Sequence, residues 1–163
     1  MDPFATLGID PVYSIDLPTI EKRHRELSRA LHPDRYASAS PSERRSALTK
    51  AADVNEAWRI VRDPVRRAEA ILTLRNIPVG EDKEPKPDPD LLMEMMEARE
   101  ELADARDDRA KLEALVAKMQ SRQERVTSDL GRALAEKRND DALMKLGELR
   151  FVRRLIGEAE DAL

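Results

Sequence analysis

The chain of 163 residues contains no cysteine. Disulfides, thiolate metal sites, cysteine-held iron–sulfur clusters and cysteine nucleophiles are thereby excluded. Aromatic residues make up only 3% of the chain and glycine only five positions. With few β-branched residues as well, a sandwich or barrel would lack both its strand formers and its turn glycines. No apolar run approaches the roughly 20 residues that cross a bilayer, and the first residues lack the basic-then-apolar profile of a signal peptide. A dominant basic face is missing too. Residues 1–76 carry 13 Lys/Arg against 11 Asp/Glu, and the remainder carries 16 against 22. Neither balance suits a nucleic-acid binder, and stacking aromatics are scarce. The expectation is a soluble, cytoplasmic protein with no nucleic-acid and no membrane partner, whose unequal halves serve different partners.

What the chain has in quantity is Ala, Leu, Glu, Lys and Arg, the residues of helices, so the fold class is all-α. One stretch interrupts it. Ile77–Pro89 reads IPVGEDKEPKPDP, and four prolines in thirteen positions forbid a helix and favour a stiff, extended connector. The expected organisation is a first domain over 1–76, a Pro-rich linker over 77–89 and a second domain over 90–163.

Helix-start signals place four helices in the first domain. Asp2-Pro3, Ser40-Pro41 and Asp63-Pro64 each pair a capping side chain with a proline suited to the first turn. A helix from Asp16 to about Leu31 sets Ile20, His24, Leu27 and Leu31 on one face, and the third helix is expected to carry Leu48, Ala51, Val54, Trp58 and Val61 inward. The second domain shows three apolar stripes: Leu91, Met95, Ala98, Leu102 and Ala105; then Leu112, Leu115, Met119, Val126, Leu130 and Ala133; then Ala142, Leu146, Leu149, Val152, Ile156, Ala159 and Leu163, after a cap at Asn139–Asp140. Three such helices make an antiparallel bundle.

His32-Pro33-Asp34 follows the second helix. Pro33 holds His32 extended, stopping the helix and presenting two polar side chains on a stiff support. Lys22, Arg25 and Arg29, three and four residues apart, share a basic face leading to it. Taken alone, the tripeptide is equally a helix stop beside a solvated basic face. Its context adds HPDRYAS at 32–38, VNEAW at 54–58, DPVRRAE at 63–69, LLMEMMEAREEL at 91–102 and LRFVRRL at 149–155. With Asp2–Gly8, these stretches resemble the HscB-type J-domain co-chaperones of iron–sulfur cluster assembly, and the second-half matches separate that family from other J proteins. The resemblance implies an N-terminal J domain and a C-terminal three-helix domain. It also implies docking of His32, Pro33, Asp34, Lys22, Arg25 and Arg29 on a DnaK/HscA-type chaperone whose ATP hydrolysis they stimulate.

The second half carries apolar residues beyond its stripes. At about 100° per residue, Leu92, Met93 and Met96 fall off the first stripe, and Met144, Phe151 and Leu155 form a second row on the last helix. Phe151 is expected to face outward. Glu97, Glu100 and Asp104 lie alongside, and an exposed apolar patch rimmed by carboxylates is a protein-recognition surface. The other reading is that these side chains widen the core. The resemblance implies that Leu92, Met93, Met96, Glu97, Glu100, Asp104 and Phe151 hold an IscU-type scaffold protein. Three positions depart from the family pattern: Met96 where Leu is usual, Asp104 where Glu is common, and Ala70 where an aromatic commonly follows the Arg-Ala-Glu run.

Catalysis by the chain itself is not expected. His24 lies on an apolar helix face, as a satisfied core histidine does. His32 and Asp34 lack further metal-spaced ligands, and no nucleophile triad or phosphate loop is present. No metal or cofactor is expected. The chain is read as a monomeric co-chaperone; the alternatives are a general J protein for unfolded clients and a helical homo-oligomeric adaptor whose apolar row forms the seam.

Overall fold

In a computed structural model describing residues 1–163, seven α-helices and no strand form two compact units, Met1–Ile77 and Pro78–Leu163. The all-α expectation holds. In the first unit α1 spans Pro3–Leu7, α2 Leu17–Ala30, α3 Pro41–Arg62 and α4 Pro64–Leu74. The capping chemistry read from the sequence is in place. Asp2 Oδ1 accepts the amides of Phe4 and Ala5 at 3.0 and 3.1 Å, Ser40 Oγ accepts that of Glu43 at 3.2 Å, and Asp63 Oδ1 accepts those of Val65 and Arg66, both at 2.9 Å. Each satisfies amide donors that a helix start leaves unpaired. Gly8 closes α1 in the left-handed region at φ 67°, which costs a residue without Cβ nothing.

The long helix α3 packs against α1, α2 and α4 and buries Ala47, Val54, Ala57 and Val61. One expectation fails here. Leu48 is 58% exposed, and Ala47 and Ala57 take the inward positions instead. Small side chains let helix axes approach closely, so the packed row of α3 runs one residue away from the bulkier leucine.

In the second unit α5 spans Pro89–Ala105, α6 Arg109–Ala135 and α7 Asn139–Asp161, forming the expected bundle. Asp88 Oδ1 caps α5 through the Leu91 amide at 2.8 Å, and Asp108 Oδ1 caps α6 through the Lys111 amide at 3.2 Å. Leu163, expected inward, lies past the end of α7, where no neighbour covers it, and is 45% exposed. The start of α7 also differs from expectation. Lys137 turns the chain at φ 56° and Asn139 is already helical, with no side-chain cap. The Pro-rich segment belongs to this second unit. It makes a single 3-10 turn at Glu81–Lys83. It is tied to α7 by Glu84, which accepts from Arg150 Nε at 2.6 Å, and by an Arg154–Glu81 ion pair.

Candidate functional site

The geometry of the first unit's tip starts from how α2 is held. Arg23 Nε donates to the Leu7 carbonyl at 3.2 Å, fixing α2 to α1. On the other side His24 stacks on Trp58 with ring centroids 5.5 Å apart and 16° between planes, while its Nε2 lies 3.0 Å from Asn55 Oδ1. His24 is thus a satisfied packing residue, as its helix face implied. Ser28 Oγ completes the contact at 3.4 Å.

So held, α2 ends at Ala30 and delivers His32 in an extended conformation, φ −61° and ψ 138°, ahead of a 3-10 turn over Pro33–Tyr36. The His32 ring caps this turn: the Asp34 amide donates to Nδ1 at 3.2 Å, and the Arg35 amide donates to the His32 carbonyl at 3.0 Å. The ring is thus held against the Asp34 backbone, with Nδ1 3.6 Å from Asp34 Oδ2, and both side chains are open to solvent at 59% and 93% exposure. Lys22, Arg25 and Arg29 are all exposed along α2. Arg25 pairs with Glu21 at 3.6 Å with both partners more than half exposed. Such a pair contributes about 0.5 kcal/mol or less and leaves the cation available. The six residues expected to share a surface are brought together on one helix and the turn that follows it.

The second unit presents a different face. Leu92, Met93 and Met96 are exposed by 48, 60 and 55%, and Glu97, Glu100 and Asp104 are exposed as well. At about 100° per residue, all six fall within an arc of roughly 140° on α5. Ala98, Leu102 and Ala105 are buried on the opposite side, so the helix is apolar on both faces while only one is covered.

Phe151 is the exception, and the expectation that it faces outward is corrected. It is 8% exposed and belongs to the bundle core with Leu102, Leu115, Met119 and Leu155; Leu155 is fully buried. The reason lies in the topology. Helix α7 lies along α6 and also packs against α5, and a helix covered on two sides needs two apolar rows rather than one. The row Met144, Phe151 and Leu155 is the second. The Phe151 ring faces the Arg99 guanidinium of α5 at 5.7 Å, and Arg99 also pairs with Glu158. Its remaining edge lines a groove with Leu91, Met95, Met144, Pro85 and Pro87.

Sequence reasoning also missed an ion-pair network beneath this face. Arg122 on α6 is 10% exposed at its side chain and Glu148 on α7 is 9% exposed. Arg122 Nη2 lies 3.0 Å from Glu148 Oε1 and 2.7 Å from Glu94 Oε2 on α5, and its Nε donates to Glu148 Oε1 at 3.2 Å. One guanidinium thus joins all three helices. The signal was present: Arg122 interrupts the stripe Leu115, Met119, Val126, and Glu148 sits within the row Met144, Phe151, Leu155. A charge of each sign at core spacing on two paired helices marks such a bridge.

In the first unit Arg67 is buried and donates to the Val61 carbonyl at 2.7 Å, with its guanidinium over the Tyr13 ring at 4.5 Å. Burial pushes its pKa down, against the opposing pull of Tyr13 and Asp63.

Comparison with known proteins bears on both units. Residues 2–70 match the DnaJ domain, and residues 87–160 match the HSCB C-terminal oligomerisation domain. The chain is 33% identical over its full length to the co-chaperone protein HscB homolog of Shewanella baltica, covering 99% of that protein. It is 35% identical to the homolog of Bordetella petrii, over 96% of this chain and 93% of the relative. The solved structure of HscB from Vibrio cholerae superposes with a TM-score of 0.85 at 32% identity, covering 99% of this chain and 96% of that one. Human HscB shares the fold, with a TM-score of 0.88 at 22% identity over 98% of this chain and 81% of that one. With a DnaJ-domain match over residues 2–70, an HSCB C-terminal match over residues 87–160 and a relative 33% identical along the whole chain, the chain belongs to the HscB family of J-domain co-chaperones.

Proposed function

We propose that this protein delivers an IscU-type iron–sulfur scaffold protein to a DnaK/HscA-type chaperone and stimulates that chaperone's ATPase. The observation that carries the reading is the solvent-open turn at His32, Pro33 and Asp34, braced by its own hydrogen bonds at the end of a basic helix. Lys22, Arg25 and Arg29 supply the electrostatic approach, and the turn favours the hydrolysis-competent state of the partner by binding it better than the resting state. The hydrolysis itself is chemistry of the partner's nucleotide site.

The scaffold is held on α5 by Leu92, Met93 and Met96, with Glu97, Glu100 and Asp104 at the rim. Phe151 supports α5 from within the core rather than touching the scaffold with an exposed ring. Carrying both surfaces on one chain raises the local concentration of scaffold at the chaperone, on the order of mM for short connections. The working species is a monomer. The test is steady-state ATPase of a DnaK/HscA-type chaperone with this protein, with and without an IscU-type scaffold. Stimulation by the protein, enhanced by scaffold, is the expected result; unchanged turnover under both conditions refutes the reading.

A second reading is favoured by the description of the matched C-terminal family as an oligomerisation domain. The exposed row on α5 would then be a seam between two copies. Sedimentation separates the two, since the seam requires a dimer that Met96→Asp disperses.

A further inference from the structure

The scaffold-docking face of α5 contains the chain's most accessible sulfur outside its first residue. Of six methionines, Met119 is 2% exposed, Met95 and Met144 are half-buried, and Met1 lies in the other unit. Met93 and Met96 alone are more than half exposed in the bundle, at 60 and 55%. They stand three residues apart, so both thioethers sit on one helix face beside Leu92. The chain has no cysteine to be oxidised first, and the tip residues His32, Pro33 and Asp34 carry no sulfur. A two-electron oxidant therefore meets the docking face before any other part of the binding machinery.

We propose that Met93 and Met96 are a reversible peroxide-sensitive modification site that switches scaffold docking off. The inference rests on the reading that this face holds the scaffold. A hydroperoxide transfers one oxygen to each sulfur: an S–O bond forms as the O–O bond breaks, the thioether is oxidised by two electrons, and the peroxide leaves as water or alcohol. A methionine sulfoxide reductase reverses the step, a dithiol giving two electrons and two protons to release the oxygen as water. Both side chains change from apolar and flexible to polar and chiral. Burying the sulfoxide oxygen against a surface shaped for a thioether, with no donor opposite, weakens docking by about tenfold or more. Chaperone stimulation by the protein alone does not use this face and is unaffected.

The test uses the full chain, treated with hydrogen peroxide and mapped by peptide mass spectrometry, with scaffold affinity measured by calorimetry before and after. For the wild-type chain, the dissociation constant for an IscU-type scaffold is expected to rise about tenfold once Met93 and Met96 each gain one oxygen. Reductase treatment is expected to restore it. For the Met93→Leu/Met96→Leu double variant, compared only with its own untreated form, peroxide is expected to leave the constant unchanged. Equal affinity of oxidised and reduced wild type, at full modification, overturns the proposal. So does an equal loss in the double variant, which assigns the effect to other residues. If reduced wild type binds no scaffold, the docking reading fails with it, a result distinct from binding that ignores oxidation.

Discussion

Removing the Arg122 side chain tests the energetics of the bundle most directly. In Arg122→Ala, Glu148 keeps its carboxylate in a site 9% exposed and loses the guanidinium at 3.0 Å. Breaking a buried pair from one side costs about 3–5 kcal/mol, because the surviving charge is left desolvated. Lys145, whose Nζ lies 3.4 Å from Glu148 Oε2, offers partial relief, so the lower end applies, about 3 kcal/mol. The branch to Glu94 counts for little: that carboxylate is 56% exposed, and Glu94→Ala is expected to cost under about 1 kcal/mol. Denaturant unfolding followed by far-ultraviolet circular dichroism measures both. The decisive comparison is Arg122→Met/Glu148→Leu, which replaces two buried charges with apolar groups of similar size and is expected to recover most of the loss. A double variant as unstable as Arg122→Ala would show that the cost arises from packing rather than from an orphaned carboxylate, and the reasoning would be refuted. An Arg122→Ala loss below about 1 kcal/mol would refute it as well, by placing Glu148 in contact with water.

Other perturbations separate the two surfaces. Asp34→Ala or His32→Gln is expected to abolish stimulation of the chaperone's ATPase while leaving scaffold affinity intact; parallel loss of both in the two assays would rule out separable sites. Leu92→Ala is expected to weaken scaffold binding by about 1–3 kcal/mol with the melting temperature unchanged, as for an exposed interface anchor. Phe151→Ala behaves differently, because the ring is in the core. It is expected to cost about 3–5 kcal/mol of stability in denaturant unfolding. Arg67→Ala removes a buried charge-assisted hydrogen bond to the last turn of α3 and is expected to destabilise by about 2 kcal/mol.

Helix starts were the most legible part of the fold, since an acidic or hydroxyl cap followed by proline acts within three residues. Asp2-Pro3, Ser40-Pro41 and Asp63-Pro64 begin helices as read, while Asp88-Pro89, assigned to the connector, begins α5 by the same rule. The start of α7 follows no such rule. There a left-handed Lys137 turns the chain, a conformation more readily assigned to Gly or Asn. Which face of a helix is covered was readable only where its neighbours meet a single stripe, as α6 and α7 both do on α5. On α5 a single buried stripe left Leu92, Met93 and Met96 outside, as expected. On α7 two neighbours claimed two rows, and the stripe rule assigned the second row, with Phe151, to solvent. Leu48 failed for another reason: close approach of helices selects small side chains, and hydropathy ranks leucine above alanine.

The tip turn has a consequence for the surface that meets it. With one ring nitrogen of His32 occupied by the Asp34 amide, the neutral imidazole carries its proton on Nε2. The loop therefore offers one donor beside one acceptor, the free carboxylate of Asp34. A complementary partner needs the inverse pair, an oxygen facing the ring and a cation or amide facing the carboxylate. A uniformly acidic surface would greet the basic helix yet repel the tip, so attraction along α2 and fit at its end are separate requirements.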